Sequence, residues 1–135
     1  MCYYLYYISK KNRLIHCNAY GTYTIADIKR LVLLMVRDRD YRSSYNIIVD
    51  TREVVFTPVL SEILDFSGFI TGIKEHFKGK IALIVKSRTL YNLFKIGSHH
   101  TKNSGIMVDI FLDIMSAEVW LSERRRRKRP DITVS

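Results

Sequence analysis

Three short runs constrain this chain most: Tyr45-Asn46-Ile47-Ile48-Val49-Asp50, Lys80-Ile81-Ala82-Leu83-Ile84-Val85-Lys86 and Ile106-Met107-Val108-Asp109-Ile110-Phe111. Each is almost wholly apolar, the first ending in Asp50 and the second bounded by Lys80 and Lys86, the pattern of buried strands in a largely parallel sheet. Parallel neighbours need long crossovers, and the stretches between the runs supply helices. Ile25, Ile28, Leu31, Val32 and Met35 recur at three and four, so a helix is expected from the Thr24-Ile25-Ala26-Asp27 capping sequence to near Asp40. Val59, Ile63, Phe66, Ile70, Ile73 and Phe77 predict a second helix that opens at Thr57-Pro58, with Thr57 as its cap. A third is expected from Arg88 or Thr89 through Ile96 with Gly97 as its stop, and a fourth from Asp113 to Glu123 with Ala117, Trp120 and Leu121 inward.

Ahead of these lie two β-rich runs, Tyr3 to Ile8 and Arg13 to Tyr20, joined by Ser9-Lys10-Lys11-Asn12, a connection of hairpin length. The predicted order is therefore ββαβαβαβα, an α/β fold with a mixed, mostly parallel five-stranded sheet flanked by helices. With 135 residues, 47% hydrophobic, only six Gly and two Pro, the chain fits one domain over 1–123.

The formal charge of +9 is concentrated at one end. Arg124, Arg125, Arg126, Arg127, Lys128 and Arg129 carry six of it, leaving 16 basic against 12 acidic side chains, a net +4, over residues 1–123. Residues 124–135 are thus expected to form a basic, disordered tail. Its functional reading is weak, sequence-indifferent contact with nucleic acid or anionic lipid phosphates, against the plain reading of cations at a helix end. No targeting segment is expected at the N-terminus, and the longest apolar run, Leu31 to Val36, is far short of the roughly 20 residues of a membrane span. Two Cys cannot build a secreted disulfide framework, so a cytoplasmic setting is the expectation.

The succession Asn12-Arg13-Leu14-Ile15, Gly21-Thr22-Tyr23-Thr24, Ile47-Ile48-Val49-Asp50-Thr51-Arg52, Ile81-Ala82-Leu83-Ile84-Val85, Val108-Asp109-Ile110-Phe111 and Ala117-Glu118-Val119-Trp120-Leu121 resembles the STAS-like family related to bacterial anti-anti-sigma factors. That resemblance implies a non-enzymatic regulatory module in a bacterial cytoplasm that binds a protein partner, with a phosphorylated Ser or Thr at the start of the helix after the third strand. The corresponding stretch here is Phe56-Thr57-Pro58-Val59-Leu60-Ser61, without the family's Asp-Ser-Ser-Gly pattern. Thr57 and Ser61 are the hydroxyls nearest the switch position.

Other residues admit a functional and a plain reading. Asp50, at the carboxyl end of a central strand, stands where open α/β sheets often bind ligands, but Arg52 two residues on suits a structural ion pair. Gly68 and Gly72 suggest close packing of another backbone or an early helix end, or with Phe66, Phe69 and Ile70 a lid over an apolar groove, which would make the protein a carrier of a small hydrophobic, lipid-like ligand. His99 and His100 are expected as an exposed loop pair. With Cys2 and Cys17 outside any Cys-x-x-Cys pair, no metal, cofactor or disulfide is expected. Of the six tyrosines at positions 3, 4, 6, 7, 20 and 23, at least half should pack beneath helices, the alternative being base stacking. No nucleophile elbow, phosphate loop or zinc-protease motif occurs, so no enzyme is expected. An unidentified protein partner and a homodimer complete the expected assemblies.

Overall fold

A computed structural model describes residues 2–123. Strands β1 (Cys2–Ser9) and β2 (Leu14–Thr22) form the opening antiparallel hairpin, and α1 (Ile25–Val36) leads to β3 (Asn46–Val55). Helix α2 (Leu60–Gly72), a 3-10 turn (Lys74–His76), β4 (Lys80–Ile84), α3 (Arg88–Lys102), β5 (Met107–Phe111) and α4 (Ile114–Ser122) follow. The sheet runs β1-β2-β3-β4-β5 with every pair after the first parallel. Successive crossovers that advance the same way, all of one hand, keep α1, α2 and α3 on one face. Only α4 lies on the other, where Ile48, Ala82, Ile84 and Ala117 form its core.

Three helices differ from their sequence expectation. Helix α1 ends at Val36 rather than near Asp40, because the apolar stripe stops there and Asp38 accepts from the Asp40 N–H in a turn. Thr57 does not cap α2. Val59 occupies that position, and the Glu62 carboxylate three residues on accepts the Val59 N–H at 2.9 Å. That helix then ends at Gly72, five residues short of Phe77. Gly97 does not stop α3, which continues to Lys102. A Cβ at Gly97 would lie 2.6 Å from the Ile63 side chain, so its lack of a side chain lets α2 and α3 meet. His99 and His100 consequently stand in the last turns of a helix, not in a loop.

Fewer of the six tyrosines pack beneath helices than the sequence suggests: Tyr23 is buried and Tyr6 half-buried against the core, whereas Tyr3, Tyr7 and Tyr20 lie on the side of the sheet where no helix covers β1 and β2, and Tyr4 is exposed at the sheet edge.

Candidate functional site

The helix-facing side of the sheet is the better covered, and Ile47 of β3 and Ile110 of β5 are buried there, yet three residues at its centre are not. Val49 on β3 and Ile81 and Leu83 on β4 are half-buried beneath three helices, whereas their neighbours on the other face, Ile48, Ala82 and Ile84, are buried to 1% or less under α4 alone. The cause is a cavity of about 130 Å³ between the sheet and α1, α2 and α3. Its floor is Val49, Ile81, Leu83 and Val108, and its walls include Leu31 and Met35 of α1 and Phe94 of α3. The roof is α2, through Ile63, Phe66 and Ile70, the inward side of the stripe read from the sequence. A dry apolar cavity of this size leaves its lining without partner atoms, at roughly 24 cal/mol per Å³, or about 3 kcal/mol.

Its five polar lining residues are all engaged: the Tyr23 hydroxyl donates to the Tyr3 carbonyl and Thr51 to the Ile84 carbonyl, each at 2.7 Å, Ser98 donates to the Lys95 carbonyl at 2.8 Å, and Ser67 and Thr101 bond each other. Ser67, buried on the inner side of α2, lies 2.6 Å from the Thr101 hydroxyl and 2.9 Å from His100 Nδ1. Thr101 donates to the Gly97 carbonyl at 3.1 Å, so it accepts from Ser67, and Ser67 in turn accepts from the Nδ1–H tautomer of His100. In this arrangement His100 is a donor and not a base toward Ser67. The trio is saturated, ties α2 to α3, and leaves the cavity wall chemically apolar.

The sequence-derived groove residues divide between the two sides of α2. Phe66 lines the cavity. Phe69 does not: it packs on Phe66 at 6.0 Å between ring centroids and takes the Lys29 ammonium at 5.5 Å, where Lys29 also pairs with Asp65 at 2.6 Å and joins α1 to α2. Gly68 and Gly72 are exposed, and a Cβ on either would meet nothing within 4 Å. Neither close packing nor a groove explains them, because they lie on the solvent side of the roof; the early helix end they also suggest is met at Gly72, the last residue of α2. The close approach belongs to Gly97, which stands inside α3 and not at its end.

A second grouping lies at the carboxyl end of the parallel strands. Arg52 clasps Asp50 with Nε at 3.0 Å and Nη2 at 2.7 Å. Burial raises the Asp50 carboxyl, but the Arg52 side-chain and backbone hydrogen bonds outweigh it and lower its pKa. The pair is thus mutually satisfied, as its plain reading has it. Thr57 is exposed in the link from β3 to α2, and Ser61 is exposed in the first turn of α2. Around them Val55, Val59, Leu60 and Leu64 are exposed apolar side chains, so α2 is apolar outside as well as inside at its start. The basic run from Arg124 to Arg129 lies outside the described residues.

By its sequence Lys80 reads as a boundary charge. It is instead buried, donates to the Trp120 and Glu123 carbonyls at 2.7 Å each, and lies 5.1 Å from the centre of the Trp120 ring. Its role is to hold the end of α4, whose last carbonyls have no helical partners. Among the described residues no three His, Cys, Asp or Glu side chains cluster as a metal site would need, and no helix is long and apolar enough to cross a membrane.

No family model matches the sequence, and no curated protein does. A solved structure is similar: an uncharacterized protein of the DUF3478 family, with a SpoIIAA-like fold, from Shewanella loihica. The likeness has a TM-score of 0.59 at 16% identity and covers 89% of this chain and 93% of that one. Together with the five-stranded mixed sheet and four helices, it shows that this chain has the SpoIIAA-like, STAS-like α/β fold expected from its sequence.

Proposed function

We propose that the protein is a non-enzymatic binding module whose cavity takes a small hydrophobic, lipid-like ligand beneath α2. The observation that carries this reading is the cavity over the centre of the sheet, with Val49, Ile81 and Leu83 left partly accessible under a three-helix layer. A cavity near 150 Å³ lined by aliphatic and aromatic groups stays dry and accepts a benzene-sized guest. Here 130 Å³ matches such a guest or the end of an acyl chain. The saturated Ser67–Thr101–His100 trio offers no free donor to a polar headgroup, which favours an apolar occupant. Native mass spectrometry of protein purified from its own host should detect a bound apolar molecule, and the purified protein should take up a fluorescent fatty acid. No uptake and no co-purified ligand would end the carrier reading.

A second reading, regulation through a protein partner, rests on the exposed Val55, Val59, Leu60 and Leu64 beside Thr57 and Ser61. Contact there would cover the outer start of α2, and Asp50 and Arg52 would orient the neighbouring loop rather than react. Because the Asp-Ser-Ser-Gly pattern is missing, Thr57 and Ser61 should remain unmodified after incubation with cell extract and ATP; stoichiometric phosphate on either would restore the switch. The cytoplasmic setting and the phosphate-binding role of the run Arg124 to Arg129 belong to this same proposal. If all six cations meet phosphates on duplex DNA, log affinity should fall with log salt at a slope near −5, from about −0.9 per contact, and the slope should nearly vanish when residues 124–135 are removed.

A further inference from the structure

The two edges of the sheet are unlike. At β5 the edge is short, and Asp109 on it binds Lys95 at 2.7 Å with Lys102 at 3.9 Å, so charged side chains guard it. At β1 the edge is eight residues long, reads Cys-Tyr-Tyr-Leu-Tyr-Tyr-Ile-Ser, and carries neither a charge nor a proline. Among the described residues β2 is its only strand partner. Tyr3, Leu5 and Tyr7 project to the side of the sheet that α4 leaves bare, at 57%, 63% and 57% exposure, and Tyr4 on the other side is 39% exposed. A long, uncharged, apolar edge of this kind is a template for another strand.

The sequence of β1 specifies which strand. Tyr3-Tyr4-Leu5-Tyr6-Tyr7 reads the same in both directions about Leu5. We propose that β1 pairs antiparallel with β1 of a second copy about a two-fold axis at Leu5, joining the two sheets into one of ten strands.

In this register Leu5 faces its own counterpart, Tyr4 faces Tyr6, and Tyr3 faces Tyr7, so the patch is complementary to itself, as a two-fold interface requires. Within each protomer Tyr7 lies 5.5 Å from His16 and Tyr3 stacks on Tyr20 at 4.8 Å, between ring centroids. Across the axis Tyr7 then meets Tyr3 of the partner subunit, and a row of four rings crosses the joined sheet twice. Aromatic cross-strand pairs stabilise a sheet beyond their area. The four exposed side chains offer roughly 400–500 Å² per copy, or about 800–1,000 Å² for the pair before the edge backbone is counted, the size of a weak, reversible interface. Absence of charge on β1 means that the two-fold brings no like charges together, and the guarded β5 edges leave the assembly closed at two copies.

Sedimentation velocity of the full chain at tens of micromolar tests this. The wild type should sediment at twice 15.9 kDa. Leu5→Lys and Leu5→Glu should each be monomeric, since each places like charges opposite one another, and an equal mixture of the two should recover the dimer. That recovery depends on Leu5 facing Leu5 and would not follow from exposure alone. Hydrogen exchange on the wild type reads the same contact without a variant: amides of residues 3–7 should gain protection as concentration rises. A monomeric wild type, variants that remain dimeric, a mixture that stays monomeric, or β1 protection independent of concentration, as the chain's own residues 124–135 on that edge would produce, overturns the proposal.

Discussion

Filling the cavity from its floor separates ligand binding from fold stability. Val49→Phe adds four carbons at the centre of β3, a strand position that suits an aromatic side chain. Burying four carbons gains at most about 3 kcal/mol, from roughly 0.8 per carbon, and the 130 Å³ void gives a like ceiling of about 3 kcal/mol at 24 cal/mol per Å³. Forcing a ring into a preformed shape takes back about 1–3 kcal/mol. The variant should therefore fold with stability between unchanged and about 2 kcal/mol above wild type by denaturant titration. Fatty-acid uptake should fall at least tenfold, because the ring occupies the guest's volume. Gly68→Leu, on the solvent side of α2, should leave uptake unchanged, since a side chain there meets nothing. Equal uptake by Val49→Phe and wild type, with the fold retained, would refute the assignment of the cavity as the binding site.

Gly68→Ala and Gly72→Ala should each stabilise the protein by about 0.5–1 kcal/mol in thermal denaturation, as neither has a positive φ or a neighbour to displace. Stability should decline as pH falls below about 4. Burial raises the Asp50 and Asp109 carboxyls, but their hydrogen bonds to Arg52 and Lys95 lower both on balance, so their contribution is present above the ordinary carboxylate pKa and is lost as pH falls through the depressed folded values; Asp50→Asn and Asp109→Asn should flatten that decline. Burial pushes the Cys17 thiol up to about 12, so a thiol reagent near pH 8 should label Cys2 and spare Cys17, read by peptide mass spectrometry.

Strand identity and order could be read because buried parallel strands require near-continuous apolar runs, and Ile47–Val49, Ile81–Ile84 and Val108–Phe111 supply them with no competing helical period. The helix ends were harder. Thr57-Pro58 carries a start signal, but Glu62 satisfies the first free amide from within the helix and moves the start to Val59. Gly97 carries a stop signal whose true cause, the 2.6 Å approach of Ile63 from another helix, is a tertiary contact absent from local pattern. The same blindness placed Lys80 at a boundary when its ammonium holds carbonyls forty residues away. Composition likewise gave no sign that α4 covers only β3 to β5, and so that Tyr3, Leu5 and Tyr7 lie bare.

A cavity poses the same difficulty in a sharper form. The stripe Ile63, Phe66 and Ile70 is what a helix fully packed on a sheet would show, and the floor residues Val49, Ile81 and Leu83 are what a filled core would use. Sequence pattern reports which side faces inward, not how far the layers stand apart. That spacing follows from the residues that hold α2. Ile63 against Gly97 brings one side of the roof onto α3, and Lys29 with Asp65 and Phe69 ties the other side to α1. Supported along both sides, the helix spans the sheet without descending onto it. The exposed glycines on its outer side add no packing that would press it down, and the Lys29–Asp65 pair, with Asp65 exposed, contributes at most about 1 kcal/mol. The Ile63–Gly97 contact is therefore the stronger fastening and the α1 side the weaker, so an apolar guest should enter between α1 and α2. Asp65→Ala should then speed uptake of the fluorescent fatty acid with little change in equilibrium affinity, read by stopped flow. An unchanged entry rate would shift the route to the α3 side.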